Sequence, residues 1–166
     1  MALEVVDAKL IVKAPIFMPD SIIDRFVQKH RDWIEKKLVQ QRWHKEKFYH
    51  FGEVFDRNGV DVETLWFASM KEIVVPRVWE LVQKFGDNPR SIKITKAKKR
   101  WGSCSIDGNI NLSFRLAQLP LELIDYVVIH ELCHLHHFDH SRAFWGLVQK
   151  RYPNFKEARQ RLKDYF

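Results

Sequence analysis

Leu119–His140 reads LPLELIDYVVIHELCHLHHFDH, and its reading decides the fold. Pro120 suits a first helical turn. Ile124, Val127, Val128, Leu132 and Leu135 recur at spacings that place them on one helix face. The pattern predicts a helix reaching about Phe138, packed against a core. Five of the chain's eight histidines fall in the last eleven residues of the stretch. His130, Glu131 and His134 form an H-E-x-x-H match. Positions i and i+4 of a helix face the same way, so two imidazoles on one rigid element can reach a single ion. Glu131 lies about 100° round from His130. It stands beside a metal without ligating it, where a carboxylate can take a proton from water held there. Leu132 points the opposite way, into the core.

A catalytic zinc usually has three protein ligands. His136, His137, His140 and Glu157 are the nearby candidates. His140 is favoured, because a turn after the helix folds it back and Ser141 or Asp139 can cap the next helix. His137 shares the His134 face but points further along the axis, and His136 points away. The ligand spacing matches the metzincin pattern. However, His137 replaces its turn glycine and no methionine follows Met70, so no Met-turn is available. Asp125 or Asp139 is a candidate to hold a ligand imidazole from behind. Phe144 and Trp145 read as core residues seating the ligand turn.

Upstream, SIKITKA alternates, and RWGSCS runs through Asp107-Gly108 into NINLSF, an antiparallel hairpin. DAKLIVKAPIF reads as a strand, and PDSIIDRFVQKHRDWIEKKLVQQRW as one helix. HKEKFYHFGEVFDRNGVDVETLWF reads as short strands with a turn at Asn58-Gly59. A helix follows from about Ala68, disturbed at Pro76 and closed by Gly86. Downstream, SRAFWGLVQKRY and NFKEARQRLKDYF are helices parted by Pro153. Strands and helices without βαβ alternation give an α+β fold. The expected organisation is an N-terminal strand/helix region at 1–67 and a core at 68–166, or one continuous domain over 1–166.

The 166 residues are 46% hydrophobic and 13% aromatic, with a net charge of +7. That composition builds a core and excludes a disordered chain. No apolar run is long enough to cross a bilayer, and MALEVVDAKLIVKAPIF lacks the order of a signal peptide. No membrane role is expected. Two thiols, Cys104 and Cys133, without such a signal point to a reducing, cytoplasmic setting. Both read as small buried cysteines. The run Lys96–Arg100 followed by Trp101 reads as a solvated strand end; its alternative is a strip contacting nucleotide or nucleic-acid phosphates.

The segments KKRWGSCSIDGNINLSFRLAQLP, IDYVVIHELCHL and HSRAFWGLV together resemble the YgjP-like metal-dependent hydrolases, zincin-type metallopeptidases related to the SprT and Spartan-type proteases. The resemblance runs from about residue 10 to 165 and is densest from Arg100 to Trp145. It implies a zincin-like α+β fold, with a small antiparallel sheet packed on the H-E-x-x-H helix and further helices around it. It also implies Zn2+ held by His130, His134 and His140, Glu131 as general base, and a peptide or protein substrate. An extended peptide is expected along an edge strand near Ile110–Phe114. Arg100, Asn111 and Tyr152 are the candidate substrate-binding residues, as donors to a developing oxyanion. Two alternatives stand beside a zinc metallopeptidase. One is a metal-dependent nucleotide (UTP-type) pyrophosphohydrolase using the basic strip. The other is a non-catalytic zinc module closed by Cys104 as fourth ligand.

Overall fold

The computed structural model describes residues 1–165, which divide by their internal contacts into two units, Met1–Phe48 with Asp56–Asn58, and the remainder. In the first unit, β1 (Ala2–Val6) and β2 (Lys9–Lys13) form an antiparallel hairpin. Its turn places Asp7 and Ala8 in the left-handed region, at φ 52° and 59°. Helices α1 (Asp20–Lys29) and α2 (Arg31–Glu46) follow. The single helix expected here breaks at His30, whose Nδ1 lies 2.8 Å from the Phe26 carbonyl. Gln41 of α2 holds the hairpin turn: its Oε1 accepts from the Ala8 N–H at 2.8 Å and its Nε2 donates to the Val5 carbonyl at 2.5 Å. The boundary between the units falls in a hairpin of β3 (Lys47–His50) and β4 (Glu53–Asp56).

The second unit begins its helical part at α3 (Val62–Ser69), capped by Asp61. This corrects the expected strand there; the aromatics of TLWF lie on a short apolar helix. A π turn, Met70–Val74, joins α3 directly to α4 (Val75–Phe85). Pro76 has no N–H for the Glu72 carbonyl, and its ring crowds that position. The helix absorbs the mismatch with an i→i−5 bond from Val75 N–H to the Met70 carbonyl. Gly86 ends α4 at φ 68°, as a left-handed cap.

The sheet has three strands in the order β5-β7-β6, from β5 (Ser91–Thr95), β6 (Gly102–Cys104) and β7 (Asn109–Ser113). The β6–β7 hairpin is antiparallel with Ser103 opposite Asn111, but β5 runs parallel to β7. The sheet is therefore mixed, not wholly antiparallel. It also places β7 in the centre, so Ile110–Phe114 is not an edge; the edge beside the helix is β6.

That helix is α5 (Leu121–Cys133), buried on nearly every side by Leu123, Ile124, Val127, Val128 and Leu132. It ends five residues before the expected Phe138. Hydrogen-bonded turns carry the chain on through His136. Helices α6 (Arg142–Arg151) and α7 (Phe155–Arg161) close the core, followed by a 3-10 turn, Leu162–Tyr165. No helix among the described residues is long and apolar enough to cross a membrane.

Candidate metal centre

His130 sits in the last turn of α5 and His134 is its C-terminal cap. The chain then turns, and Ser141 caps α6 by accepting from the Phe144 N–H. Asp139 Oδ1 accepts from the Ser141 N–H. These two local bonds, each 3.4 Å, accompany the turn that folds His140 back. One ring nitrogen from each of His130, His134 and His140 lies within 4.8 Å of the other two. The Nε2 atoms of His130 and His140 are 3.2 Å apart, close to the roughly 3.3 Å expected between two ligands of a tetrahedral zinc.

The His134 ring is oriented from behind. His134 Nδ1 faces the His137 carbonyl at 3.0 Å. A carbonyl only accepts, so Nδ1 carries the proton and Nε2 keeps its lone pair for a metal. The orienting group is thus a main-chain oxygen and neither of the expected carboxylates. Asp125 instead pairs with Arg77, its Oδ2 accepting from Nη2 at 2.6 Å. Phe144, fully buried, stacks on His134 with ring centres 4.4 Å apart and meets His130 and His140 edge-on at 5.0 and 4.8 Å. Trp145 stacks on His140 at 5.5 Å, and Phe155 on Trp145 at 5.4 Å. The two aromatics of α6 seat the turn that carries His140, as their place in the sequence implied.

The electrostatics favour a cation between these rings. Burial, then the neighbouring His134 and His140, pushes the His130 pKa down to about 3. Burial likewise lowers that of His134. Neutral imidazoles are the form that ligates metals. The His130 Nδ1 is buried without a hydrogen-bond partner, so that ring is held by packing alone. The donor set is all nitrogen, which suits zinc and not the oxygen-seeking magnesium. The residues fit a zinc ion.

Glu131 is 6% exposed. Burial pushes its pKa up to about 7, against the opposing pull of Arg100. A carboxyl group that titrates near neutrality can both take and return a proton. Gly102 of β6 lies against it: a Cβ there would stand 2.7 Å from both Cγ and Oε1 of Glu131. The glycine of RWGSCS is therefore what lets the sheet edge approach the acid. Its one signal in the sequence is a glycine in a strand, which marks close approach.

Arg100, Trp101 and Gly102 line one cavity with His130 and Glu131. Asn111 and Tyr152 do not line it. Asn111 is on the central strand, and the Tyr152 hydroxyl donates to the Glu122 carbonyl at 3.1 Å. Glu157 is exposed on α7 and lies outside the imidazole cluster, as does Cys104. Burial raises the thiol pKa of Cys104 and of Cys133 to about 11, so both stay protonated, and both are free of disulfides. His136 pairs with a fully buried Asp87 at 2.6 Å.

Residues 61–165 match the family described as YgjP-like, metallopeptidase domain. The match spans more than half of the chain, and the chain belongs to the YgjP-like family; its domain is that of a metallopeptidase. A solved structure, the metallopeptidase zymogen abylysin of Pyrococcus abyssi, is similar over 54% of this chain and 91% of its own, at 28% identity and a TM-score of 0.49. No curated protein matches the chain.

Proposed function

We propose that the protein is a zinc-dependent peptidase, with His130, His134 and His140 as ligands and Glu131 as general base. The observation that carries this reading is three imidazoles within 4.8 Å of one another beside a buried glutamate. Bound there, zinc supplies Lewis-acid polarisation of a carbonyl and acidifies water. Glu131 accepts the proton of the attacking water and passes it to the leaving amine. Gly102 holds the base in place by leaving room for it. Arg100, exposed and lining the cavity with Glu131, meets negative charge developing on the carbonyl oxygen. An extended peptide pairs along the free edge of β6, where main-chain bonds tolerate many sequences. Asn111 and Tyr152 have less claim to a substrate role, being outside that cavity. Two free thiols fit a cytoplasmic setting.

The test is metal dependence. Chelated protein is expected to lose peptide hydrolysis, to recover it with one equivalent of zinc, and to stay inactive with magnesium. His140→Ala is expected to lower zinc affinity by at least tenfold. Hydrolysis that persists in metal-free protein would rule the reading out.

A further inference from the structure

Helices α6 and α7 line a cleft of about 820 Å³. Four cations line it: Arg142 of α6, Lys156 and Arg159 of α7, and Lys163 of the turn that follows. All four are exposed. No carboxylate lines the cleft, and among the described residues none of the four takes part in an ion pair. The neighbouring Arg161, outside the cleft, is by contrast held by Glu122 at 2.8 Å. Like charges gathered in a concave site raise the local concentration of anions. Lys156, Arg159 and Lys163 recur at i, i+3 and i+7, so they share one side of the chain. They span about 10 Å along the helix axis, the length of roughly three residues of extended chain. On the α6 side, Gly146 leaves the cleft open: a Cβ added there would meet nothing within 4 Å.

We propose that this cleft is an exosite of the peptidase, binding a short run of Asp or Glu residues close in sequence to the scissile bond. The inference rests on the peptidase reading and adds to it a substrate class. The cleft and the metal centre share Trp145, which lines the one and stacks on His140 at 5.5 Å. A chain bound at the metal reaches the cations by passing this one ring. Single exposed ion pairs are weak, so an acidic run gains from several cations at once. Gln149 and Gln160 add amide groups suited to peptide bonds. A single strand of nucleic acid would meet the same cations, but it also needs rings on which bases stack. Trp145 is already committed to His140, Phe155 and the Arg159 guanidinium, and Phe155 is buried. The cleft therefore offers charge without a stacking platform, which favours carboxylates on a peptide.

The experiment uses one peptide with Glu-Glu-Glu or Gln-Gln-Gln placed before or after a single cleavable bond. Binding to zinc-loaded Glu131→Gln by fluorescence anisotropy and cleavage by zinc-loaded wild type are measured in parallel. In one of the two placements the acidic peptide is expected to exceed its Gln counterpart about tenfold in affinity and in kcat/KM, and to lose that lead at high salt. Replacing Arg142, Lys156 and Lys163 together by Gln is expected to remove most of the preference. Gly146→Glu, which sets a carboxylate in the cleft, is expected to do the same with no cation deleted. Replacing Lys29, Lys36 and Lys37 by Gln makes the same change of net charge in the first unit and is expected to leave the preference within about threefold. Equal loss in that control, or a preference that survives Gly146→Glu, overturns the exosite. Cleavage of both peptides at one rate overturns it and leaves the peptidase reading standing. Selective binding of the acidic peptide with no cleavage of either keeps the cleft and overturns the peptidase reading. Tighter binding of oligothymidylate than of the acidic peptide, lost in the triple variant, overturns the exosite in favour of a nucleic-acid groove.

Discussion

Glu131 and Gly102 belong together at the scale of single residues. The main chain of Gly102 does not need a left-handed conformation, since its φ is not positive, so Gly102→Ala adds one methyl group and changes nothing else directly. That methyl would stand 2.7 Å from the glutamate Oε1. A misplacement of about 1 Å at a reacting group costs roughly a hundredfold. Gly102→Ala is therefore expected to lower kcat by about that factor with zinc content unchanged; steady-state kinetics beside elemental analysis checks it. Glu131 also sets a pH dependence in the metal-free protein. Its folded pKa is raised from 4.5 to about 7, so the folded state favours the protonated form. That contribution is fully present below about pH 4.5 and is lost as pH rises through about 7. Glu131→Gln, which keeps shape without titrating, should gain stability over metal-free wild type between pH 5 and pH 8 in urea unfolding. An unchanged difference would contradict the account of the buried carboxyl.

At the scale of elements, the turn from His134 to Ser141 decides whether His140 reaches the other two imidazoles. Its two fixings can be removed separately. Ser141→Ala deletes the cap of α6 and is expected to cost about 1 kcal/mol, with weaker zinc binding because His140 precedes the cap. Asp87 ties the turn from outside: its side chain is fully buried, accepts from Nη1 and Nη2 of Arg151 at 2.8 and 2.9 Å, and meets His136. Asp87→Ala leaves Arg151 buried without its partner and should cost about 3 kcal/mol by urea unfolding. What the sequence made legible follows from locality. The α5 stripe, the Asp107-Gly108 turn and the i, i+4 histidines are set by neighbours a few residues apart. The fold-back of His140 was legible because the turn and its cap are contiguous. The parallel pairing of β5 with β7 was not, because it depends on a contact that no local pattern encodes. The same holds for the group behind His134, which is a main-chain carbonyl that every residue possesses. The helix at α3 was missed because Leu65, Trp66 and Phe67 form a short continuous apolar run that suits either period, and tertiary packing chose between them.

At the scale of the whole molecule, the stability is unevenly shared. The buried apolar residues of the first unit are Ile34 and Phe48 alone, whereas α5 and its neighbours carry the continuous core of the second. Amides of α1, α2 and the β1–β2 hairpin should exchange with solvent orders of magnitude sooner than those of α5, as read by hydrogen exchange. Zinc that binds only the folded chain would stabilise it by about 2.7 kcal/mol at a hundredfold excess over Kd, and that gain belongs to the unit holding the three histidines. The measurement closest to the central claim is peptide hydrolysis by Glu131→Gln loaded with one zinc per chain. The account predicts full metal occupancy with turnover reduced about a thousandfold; hydrolysis at the wild-type rate in that protein would contradict it.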